Sequence, residues 1–460
     1  MAQASGRPSP GRPRHYEFPK FHRAVLGSGL QVITCHLPGR LLGSARLLVE
    51  AGAANETPEQ AGAAAITARA LTEGTERLDA TAFSDAVEAL GAVIDADSNW
   101  DTFRTNLVVP MARMEPALEL LAEAVRRPAF DDREVKRIQQ ERLNEIRQEF
   151  AEPASRAHLA FLGAVYTPDS AFHRPYDGTA GTIEALTRDD IEAYYARFAT
   201  PGTATLVIAG DLEDRDWLAT AERLFGDWRV DEPDRQIPGV TEAISGSHTT
   251  LVHRPGSVQA QILTGHLGLP RRTPDFFPVT LMATILGGLF TSRLNLKLRE
   301  EKGYTYGARA WFDFRRQPGP FAASAAVESH VTADALADAL AEIRRVHEGG
   351  VTQEELDVAR DYLIGVLPLR FETPEAISGA ISNLVVHGLP DDYFDTYRTS
   401  MEAVTVDDIA EAAHNRLRPS QMATVVVGNA DDIEAPLRAG GFGPVSVVRD
   451  PEPGADDLGA

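Results

Sequence analysis

An internal repeat constrains the fold of this chain more than any other feature of its sequence. The segment at 186–191, Leu-Thr-Arg-Asp-Asp-Ile, recurs at 404–409 as Val-Thr-Val-Asp-Asp-Ile, and each copy is typical of a capped helix start. Two Ala/Leu-rich helical runs, at 117–125 and 335–343, repeat at the same offset of 218 residues. Because two separate matches share one offset, the chain of 460 residues is predicted to hold two copies of one domain.

Each copy mixes short alternating apolar runs with longer amphipathic ones. This mixture predicts an α+β fold in which helices cover a largely antiparallel sheet, once in each half. A polar stretch that proline and glycine punctuate separates the halves. The predicted organisation is a disordered arm, a first domain, a linker, a second domain and an acidic tail, at 1–20, 21–230, 231–245, 246–448 and 449–460, respectively.

Composition restricts the classes of partner. The formal charge of −22 disfavours a nucleic-acid ligand, because phosphate binding requires a basic surface. No apolar run approaches the roughly 18 residues that a membrane helix needs, and the first 20 residues contain no apolar segment of the secretory type. We therefore expect a cytoplasmic protein without a membrane contact. A single cysteine, Cys35, excludes an internal disulfide and a cysteine-based zinc cluster.

One stretch has the frame of a metal-binding helix. The sequence at 62–70, Gly-Ala-Ala-Ala-Ile-Thr-Ala-Arg-Ala, is followed by Gly-Thr at 74–75. This frame resembles the first active-site helix of the M16 zinc peptidases, the pitrilysin/insulinase family that includes the processing peptidases. In that family the helix carries the motif His-x-x-Glu-His. Here Ala65 and Arg69 stand at the two histidine positions, and Ala68 stands at the glutamate position.

These substitutions remove the metal chemistry of the motif. Two imidazoles four residues apart hold zinc on one helix face, and the intervening glutamate acts as the base. Alanine supplies no lone pair, and the guanidinium of Arg69 is a permanent cation that repels a metal ion. The resemblance places the third ligand, a glutamate in active members, at Ile138 or, with a shift of three residues, at Glu141. His173, in a segment similar to the family's His-Pro-Tyr-Gly, is interpreted as a loop residue and not as a ligand.

The second half retains a signature of the same family. The run at 286–294, which contains Gly287 and Gly288, leads through Leu-Arg-Glu to a Gly-x-x-Tyr sequence. This pattern resembles the family's glycine turn, followed by the Arg and Tyr that engage the substrate backbone. Arg299 and Tyr306 match the family spacing of seven residues and would bind carbonyl or carboxylate oxygens. In the alternative interpretation, Arg299 pairs with a neighbouring glutamate and Tyr306 is a packed strand residue.

The resemblance implies two halves that face each other as a clamshell, in the M16/LuxS-like metallohydrolase fold. Our first hypothesis is a non-catalytic subunit of a heterodimeric zinc peptidase, without a cofactor of its own. A catalytic M16 paralogue with an intact motif would supply the zinc, and a peptide or unfolded polypeptide would be the substrate. The main alternative is a stand-alone peptide-binding or structural scaffold protein. A third hypothesis is an active metallopeptidase with a divergent site.

Overall fold

The computed structural model describes residues 16–213, 215–229 and 239–449. Within them the backbone forms two six-stranded sheets, one in each half of the chain. The strands of the first sheet are β1 (Phe21–Val25), β2 (Gln31–His36), β3 (Leu42–Val49), β4 (Val93–Ser98), β5 (Phe103–Pro110) and β6 (Ala204–Gly210). Those of the second sheet are β7 (His248–His253), β8 (Gln259–Leu267), β9 (Ala308–Phe312), β10 (Pro320–Glu328), β11 (Ala423–Gly428) and β12 (Val445–Val448).

Helices connect the strands in both halves. Those of the first half are α1 (Ala63–Ala70), α2 (Ala80–Ala89), α3 (Met114–Arg126), α4 (Asp132–Ala151), α5 (Pro153–Val165), α6 (Ala180–Ala185), α7 (Arg188–Phe198) and α8 (Trp217–Phe225). Those of the second are α9 (Phe276–Ala283), α10 (Arg293–Asn295), α11 (Thr332–His347), α12 (Gln353–Val366), α13 (Pro374–Val386), α14 (Tyr393–Ala403), α15 (Val406–Arg416) and α16 (Ala430–Ala439). Two π-helical turns, Thr284–Gly288 and Leu296–Glu301, follow α9 and α10.

The two sheets share one strand order apart from a single edge. The orders are β1-β2-β6-β3-β5-β4 and β12-β7-β11-β8-β10-β9. β1 joins the first sheet antiparallel to β2, whereas β12 joins the second sheet parallel to β7. Seven of the ten pairings in the described residues are antiparallel. The predicted α+β fold of two homologous halves, each with a largely antiparallel sheet covered by helices, is confirmed.

The repeat extends to individual hydrogen bonds. Thr187 and Thr405 cap α7 and α15 with the same capping box, in which the threonine hydroxyl and an aspartate three residues later bond each other's backbone N–H. His36 and His253 each end a strand and accept a backbone N–H through Nδ1 at 3.0 Å. These matched contacts show that the two halves keep the same local geometry as well as the same topology.

One helix from each half packs against the sheet of the other half. α5 packs against β8 and β11 of the second sheet, whereas α13 packs against β3 and β6 of the first. Both helices begin with a proline, Pro153 or Pro374, at a position where its missing N–H is not needed. The buried hydroxyls of Ser44 and Ser378 hydrogen bond at one of these contacts at 3.0 Å. Buried packing therefore interlocks the two halves.

The first described residues pack on the second half. Phe18 is 7% exposed, and its ring centroid lies 4.4 Å from that of Phe394 and 5.0 Å from that of Phe371. Tyr16 also stacks on Phe371. The prediction of a disordered arm is therefore wrong for 16–20, because two aromatic side chains bury apolar surface there. The rest of the predicted arm, most of the linker and most of the tail lie outside the described residues, at 1–15, 231–238 and 450–460.

One helical run, Phe276–Glu301, is long and apolar enough to cross a membrane by length and composition. Of its most apolar window, 56% is buried inside the protein. Leu286, Leu294 and Leu298 of this run belong to the core of the second half, so its apolar character is that of a core helix. The length of this helical run is not evident from the sequence, because threonine, serine and glycine interrupt its apolar residues.

We predict that Phe18→Ala lowers the free energy of unfolding by about 3–5 kcal/mol, because it removes a ring buried between two others. Urea denaturation of the purified chain measures the change. The control is Val25→Ala on β1, where the side chain is 68% exposed and truncation should cost within about 0.5 kcal/mol. An effect of Phe18→Ala no larger than that of the control would show that 16–20 is not anchored.

Candidate functional site

A buried carboxylate holds the N-terminus of α1, the helix with the degenerate motif. Glu56 accepts backbone N–H bonds from Gly62 at 3.0 Å and from Ala64 at 2.7 Å. Gly62 has a left-handed backbone with φ of 95°, and a Cβ there would lie 2.5 Å from Cδ1 of Ile183. Only glycine therefore fits at this position. The glycine and alanine of the frame thus serve the packing of the helix even without metal ligands.

Burial is the main influence on the pKa of the Glu56 carboxyl. It raises the pKa of the carboxyl to about 8, although the bonds from Ala64 and Gly62 and the charge of Arg174 oppose that change. The side chain is 5% exposed. The folded protein therefore favours the protonated carboxyl at pH values where an exposed glutamate is ionised.

An ion pair occupies the position of the second motif histidine. Ala65 is 7% exposed and Ala68 is fully buried, and neither side chain carries a polar atom. Arg69, one turn after Ala65, donates two bonds to the carboxylate of Glu145 on α4, at 2.9 and 2.8 Å. This two-pronged geometry is the strongest that an arginine forms with a carboxylate. It joins α1 to α4 without a metal ion.

A second arginine extends this ion pair into a network. The side chain of Arg142 is 2% exposed and contacts three carboxylates, those of Glu145 at 3.1 Å, Glu149 at 2.7 Å and Asp177 at 2.9 Å. The hydrogen bond from Arg69 is the main cause that lowers the pKa of Glu145. Burial of Asp177 raises the pKa of its carboxyl, which the charge of Arg142 opposes. Two guanidinium groups thus compensate three carboxylates. Removing Arg142 would leave Glu149 and Asp177 without this partner, and removing Arg69 would leave Glu145 with Arg142 alone.

The structure corrects the predicted position of the third ligand. Ile138 is 1% exposed and packs in the core of the first half. Glu141 pairs instead with Arg137 at 2.6 Å on the exposed side of α4. Glu145 is the carboxylate that faces Arg69, so both earlier assignments are wrong. Positions 138, 141 and 145 fall on neighbouring parts of one helix face, which explains why the sequence pattern could not separate them.

The residues present do not fit a zinc ion. The methyl groups of Ala65 and Ala68 and the guanidinium of Arg69 offer no lone pair to a metal ion. The carboxylate of Glu145 is already neutralised by two cations. His173 belongs to a short turn, Ala171–His173, in which its Nδ1 lies 2.8 Å from the carbonyl oxygen of Tyr166. It therefore stabilises a turn through the main chain. Within the described part of the chain, one group of three potential ligand residues lies elsewhere, at His36, Asp211 and Glu213.

The glycine turn of the second half permits a close backbone approach. A Cβ at Gly287 would lie 2.2 Å from the backbone nitrogen of Ala310 on β9, so a larger residue would push the strand away. Asn295 fixes the same region through its amide group, which donates to the carbonyl oxygens of Leu289 and Ala308 at 2.9 Å. Its side-chain oxygen accepts the N–H of Ala308 at 2.9 Å. Asn295 could not be identified from the sequence, because its role depends on two segments that meet only in the fold.

Arg299 and Tyr306 line one open cavity of about 1040 Å³ together with Gly287 and Gly288. The guanidinium carbon of Arg299 lies 4.3 Å from the ring centroid of Phe290, and its Nε lies 3.3 Å from a carboxylate oxygen of the next residue, Glu300. The side chain of Arg299 remains 38% exposed. Arg299 thus makes the neighbouring ion pair of the alternative interpretation and also borders the cavity.

Tyr306 does not match the alternative interpretation, because it is 89% exposed and precedes β9. A phenol so exposed has no packing role and is free to bond a ligand. Arg299 lies on the π-helical turn Leu296–Glu301, a distortion found often at functional sites. The cavity thus combines an arginine, a phenol and a glycine turn, all of which the sequence had grouped.

The fold and the two sites define a metallopeptidase-like chain in which Ala65 and Arg69 stand at the histidine positions of the metal motif. The family model described as "Insulinase (Peptidase family M16)" matches residues 31–156, and the model described as "Peptidase M16 inactive domain" matches residues 185–363. The chain belongs to the M16 peptidase family.

Relatives in the family carry both peptidase and non-peptidase names. An uncharacterized zinc protease of Mycobacterium leprae is 26% identical over 416 residues, which cover 88% of this chain and 91% of that protein. The non-peptidase homolog YmxG of Helicobacter pylori is 22% identical over 394 residues, covering 84% of this chain and 89% of that protein.

Solved structures have the same two-domain fold. The peptidase M16 inactive domain from Pseudomonas fluorescens has a TM-score of 0.83 and is 25% identical, covering 89% of this chain and 98% of that chain. A protease from Helicobacter pylori has a TM-score of 0.82 at 21% identity, covering 89% of this chain and 99% of that chain. Together with the degenerate motif, these likenesses fit a non-catalytic member of the family.

We predict that the double variant Ala65→His with Arg69→His binds about one zinc ion per chain, whereas the unaltered chain binds none. The new imidazoles would stand one turn apart and face the carboxylate of Glu145. Ala68→Glu is omitted because it would bury a base that is not a ligand. Metal analysis after gel filtration measures the stoichiometry.

Two further substitutions in that double variant test which carboxylate of α4 is the third zinc ligand. Glu145→Ala should weaken zinc binding by at least about tenfold, because the carboxylate ligand is lost. Glu141→Ala is the matched control on the same helix and should leave zinc binding unchanged. If Glu141→Ala alone removed the metal, Glu145 would not be the ligand.

We predict that stability falls as the pH rises from about 5 to 8, in part through Glu56. Its pKa is near 4.5 in the unfolded chain and about 8 in the folded chain. The stabilising contribution is therefore complete below the lower value and is lost as the pH rises towards the upper one. The variant Glu56→Gln should show a shallower decline of Tm with pH, and the exposed neighbour Glu59→Gln should behave as the unaltered chain. Equal slopes in all three proteins would contradict the assignment.

Proposed function

We propose that this protein is the non-catalytic subunit of a heterodimeric M16-type zinc peptidase. One contrast carries the proposal: α1 offers no metal ligand, whereas Arg299, Tyr306 and the glycine turn share one open cavity. A chain selected only as a scaffold would have no need to keep the second set after losing the first.

The cavity suits a peptide backbone. The guanidinium of Arg299 and the hydroxyl of Tyr306 donate hydrogen bonds to carbonyl or carboxylate oxygens. β9, which lines the same cavity through Ala308 and Ala310, is the edge strand of its sheet. An edge strand presents unpaired backbone groups to an extended peptide. The ligand that these groups favour is therefore an extended peptide or an unfolded polypeptide.

The metal would belong to the partner in this proposal. The catalytic subunit is an M16 paralogue with an intact His-x-x-Glu-His motif, and its zinc activates the water that attacks the scissile bond. Arg299 and Tyr306 hold the substrate carbonyl groups beside that site and polarise them. The pair of chains closes a chamber around the substrate, and we place it in the cytoplasm.

Reconstitution tests the proposal directly. The chain is co-expressed with an M16 protein from the same organism that carries the intact motif, and both are purified by gel filtration. We expect a 1:1 complex that cleaves an unfolded polypeptide, with zinc in the partner alone and much less activity from either chain by itself. Failure to form a complex, together with full activity of the partner alone, would return the protein to the class of scaffolds.

We predict that Arg299→Gln or Tyr306→Phe lowers peptidase turnover of the reconstituted pair by roughly thirty- to one-hundredfold. Each change removes a contact of about 2–3 kcal/mol in the transition state. The matched control is Lys302→Gln, three residues after Arg299, whose ion pair with Asp338 spans 4.0 Å and contributes little. Wild-type turnover of both site variants, in complexes that still assemble, would remove these residues from the substrate site.

A further inference from the structure

A second cavity lies apart from the peptide site and is built from both halves of the chain. It encloses about 870 Å³, which is within the range of about 300–1,000 Å³ typical of small-molecule sites. Arg46 of β3 comes from the first half. The other lining residues come from the second half, chiefly from α9, α13, α14 and the turn Pro368–Phe371. None of its residues lines the cavity of Arg299 and Tyr306.

The charge of this second cavity contrasts with the acidity of the protein. Three arginines, Arg46, Arg271 and Arg370, line it against a single carboxylate, that of Glu375. Among the described residues none of these three arginines has a carboxylate oxygen within 4.0 Å. The carboxylates of Asp97, Glu375 and Asp95 act on Arg46 from a greater distance. Elsewhere most of the buried or half-buried arginines are compensated, as Arg142 is by three acids. In a chain of formal charge −22, three guanidinium groups without a direct carboxylate partner in one cavity favour an anion.

Buried nitrogen atoms on the cavity wall lack partners. Nε of Arg46 and Nδ1 of His387 are both buried and have no hydrogen-bond partner within the described chain. Gly379 leaves the space that Arg46 needs, because a Cβ there would lie 2.8 Å from its Nη1. Unsatisfied buried polar atoms are uncommon in folded proteins and often mark a place where a ligand or water binds.

Aromatic rings form the rest of the wall. The six rings are those of Phe276, Phe314, Phe371, Tyr393, Phe394 and Tyr397. Arg271 already lies 3.5 Å from the ring centroid of Phe276 and donates a hydrogen bond to the hydroxyl of Tyr393 at 2.6 Å. That arrangement orients the guanidinium while leaving donors for a ligand, since arginine has five N–H groups. Flat apolar surfaces beside a fixed cation suit a ligand that is both aromatic and anionic.

We propose that this cavity binds a small organic anion. Its carboxylate, sulfonate or phosphate group contacts Arg46, Arg271 and Arg370, and its flat apolar part packs against the surrounding rings. The proposal is independent of the peptidase partner, because every residue that contributes belongs to this chain.

The first test uses 8-anilinonaphthalene-1-sulfonate as a fluorescent probe with the full, isolated chain. We expect one saturable site. Naphthalene-1-sulfonate should displace the probe, whereas the uncharged naphthalene-1-methanol and inorganic sulfate should each compete at least about tenfold more weakly. Displacement by the uncharged compound as effective as by the sulfonate would show that the guanidinium groups do not bind the ligand and would overturn the proposal.

Substitutions locate the binding event. Arg271→Gln and Arg370→Gln should each weaken probe binding by about tenfold, through loss of one charge-assisted contact. Arg370 is exposed at the rim, so its variant remains informative if Arg271→Gln unfolds, which circular dichroism and Tm reveal. Arg215→Gln is the matched control, because that arginine also stands over a ring, that of Trp217, and lines neither cavity. Unchanged affinity in both variants, or loss of binding in the control alone, would refute the assignment of the site.

Discussion

The reciprocal exchange of helices between the halves is the constraint on which the rest of the structure depends. α5 of the first half covers the second sheet, and α13 of the second half covers the first. Neither sheet could bury that face without the other half, because the covering helix comes from elsewhere in the chain. The two copies therefore pack as one body, and Arg46 of β3 meets α13 across this contact, where it lines the second cavity.

The two halves differ in their functional residues although they share one framework. The first half has ion pairs between α1 and α4 at the position of the metal motif, whereas the second half has an open cavity beside a glycine turn. An internal duplication permits such divergence, because the framework of each copy is maintained by shared packing while its functional residues change separately. The shared strand order and the matched capping boxes of Thr187 and Thr405 belong to that common framework.

Much of this organisation could be predicted from the sequence, and the failures have definite physical causes. The repeat, the fold class and the grouping of Arg299 with Tyr306 follow from patterns a few residues long, which local structure preserves. The prediction of the third-ligand position was wrong because Ile138, Glu141 and Glu145 recur along α4 at spacings of three and four residues, which a sequence pattern does not separate. The exchange of α5 and α13 was missed because an amphipathic pattern indicates that a helix is covered and not which sheet covers it. Phe18 and Asn295 were missed because their partners are distant in the chain or act only in the fold.

The pairing of Arg69 with Glu145 has an evolutionary consequence. A first substitution of Arg69 by histidine would supply one ligand and at the same moment leave Glu145 with less compensation. Such a step lowers stability before any complete set of donors exists, and it confers no catalysis in return. A stepwise path from this chain to a metal-binding helix would therefore pass through a less stable variant. Arg69 thus works against the stepwise appearance of a metal site on this helix.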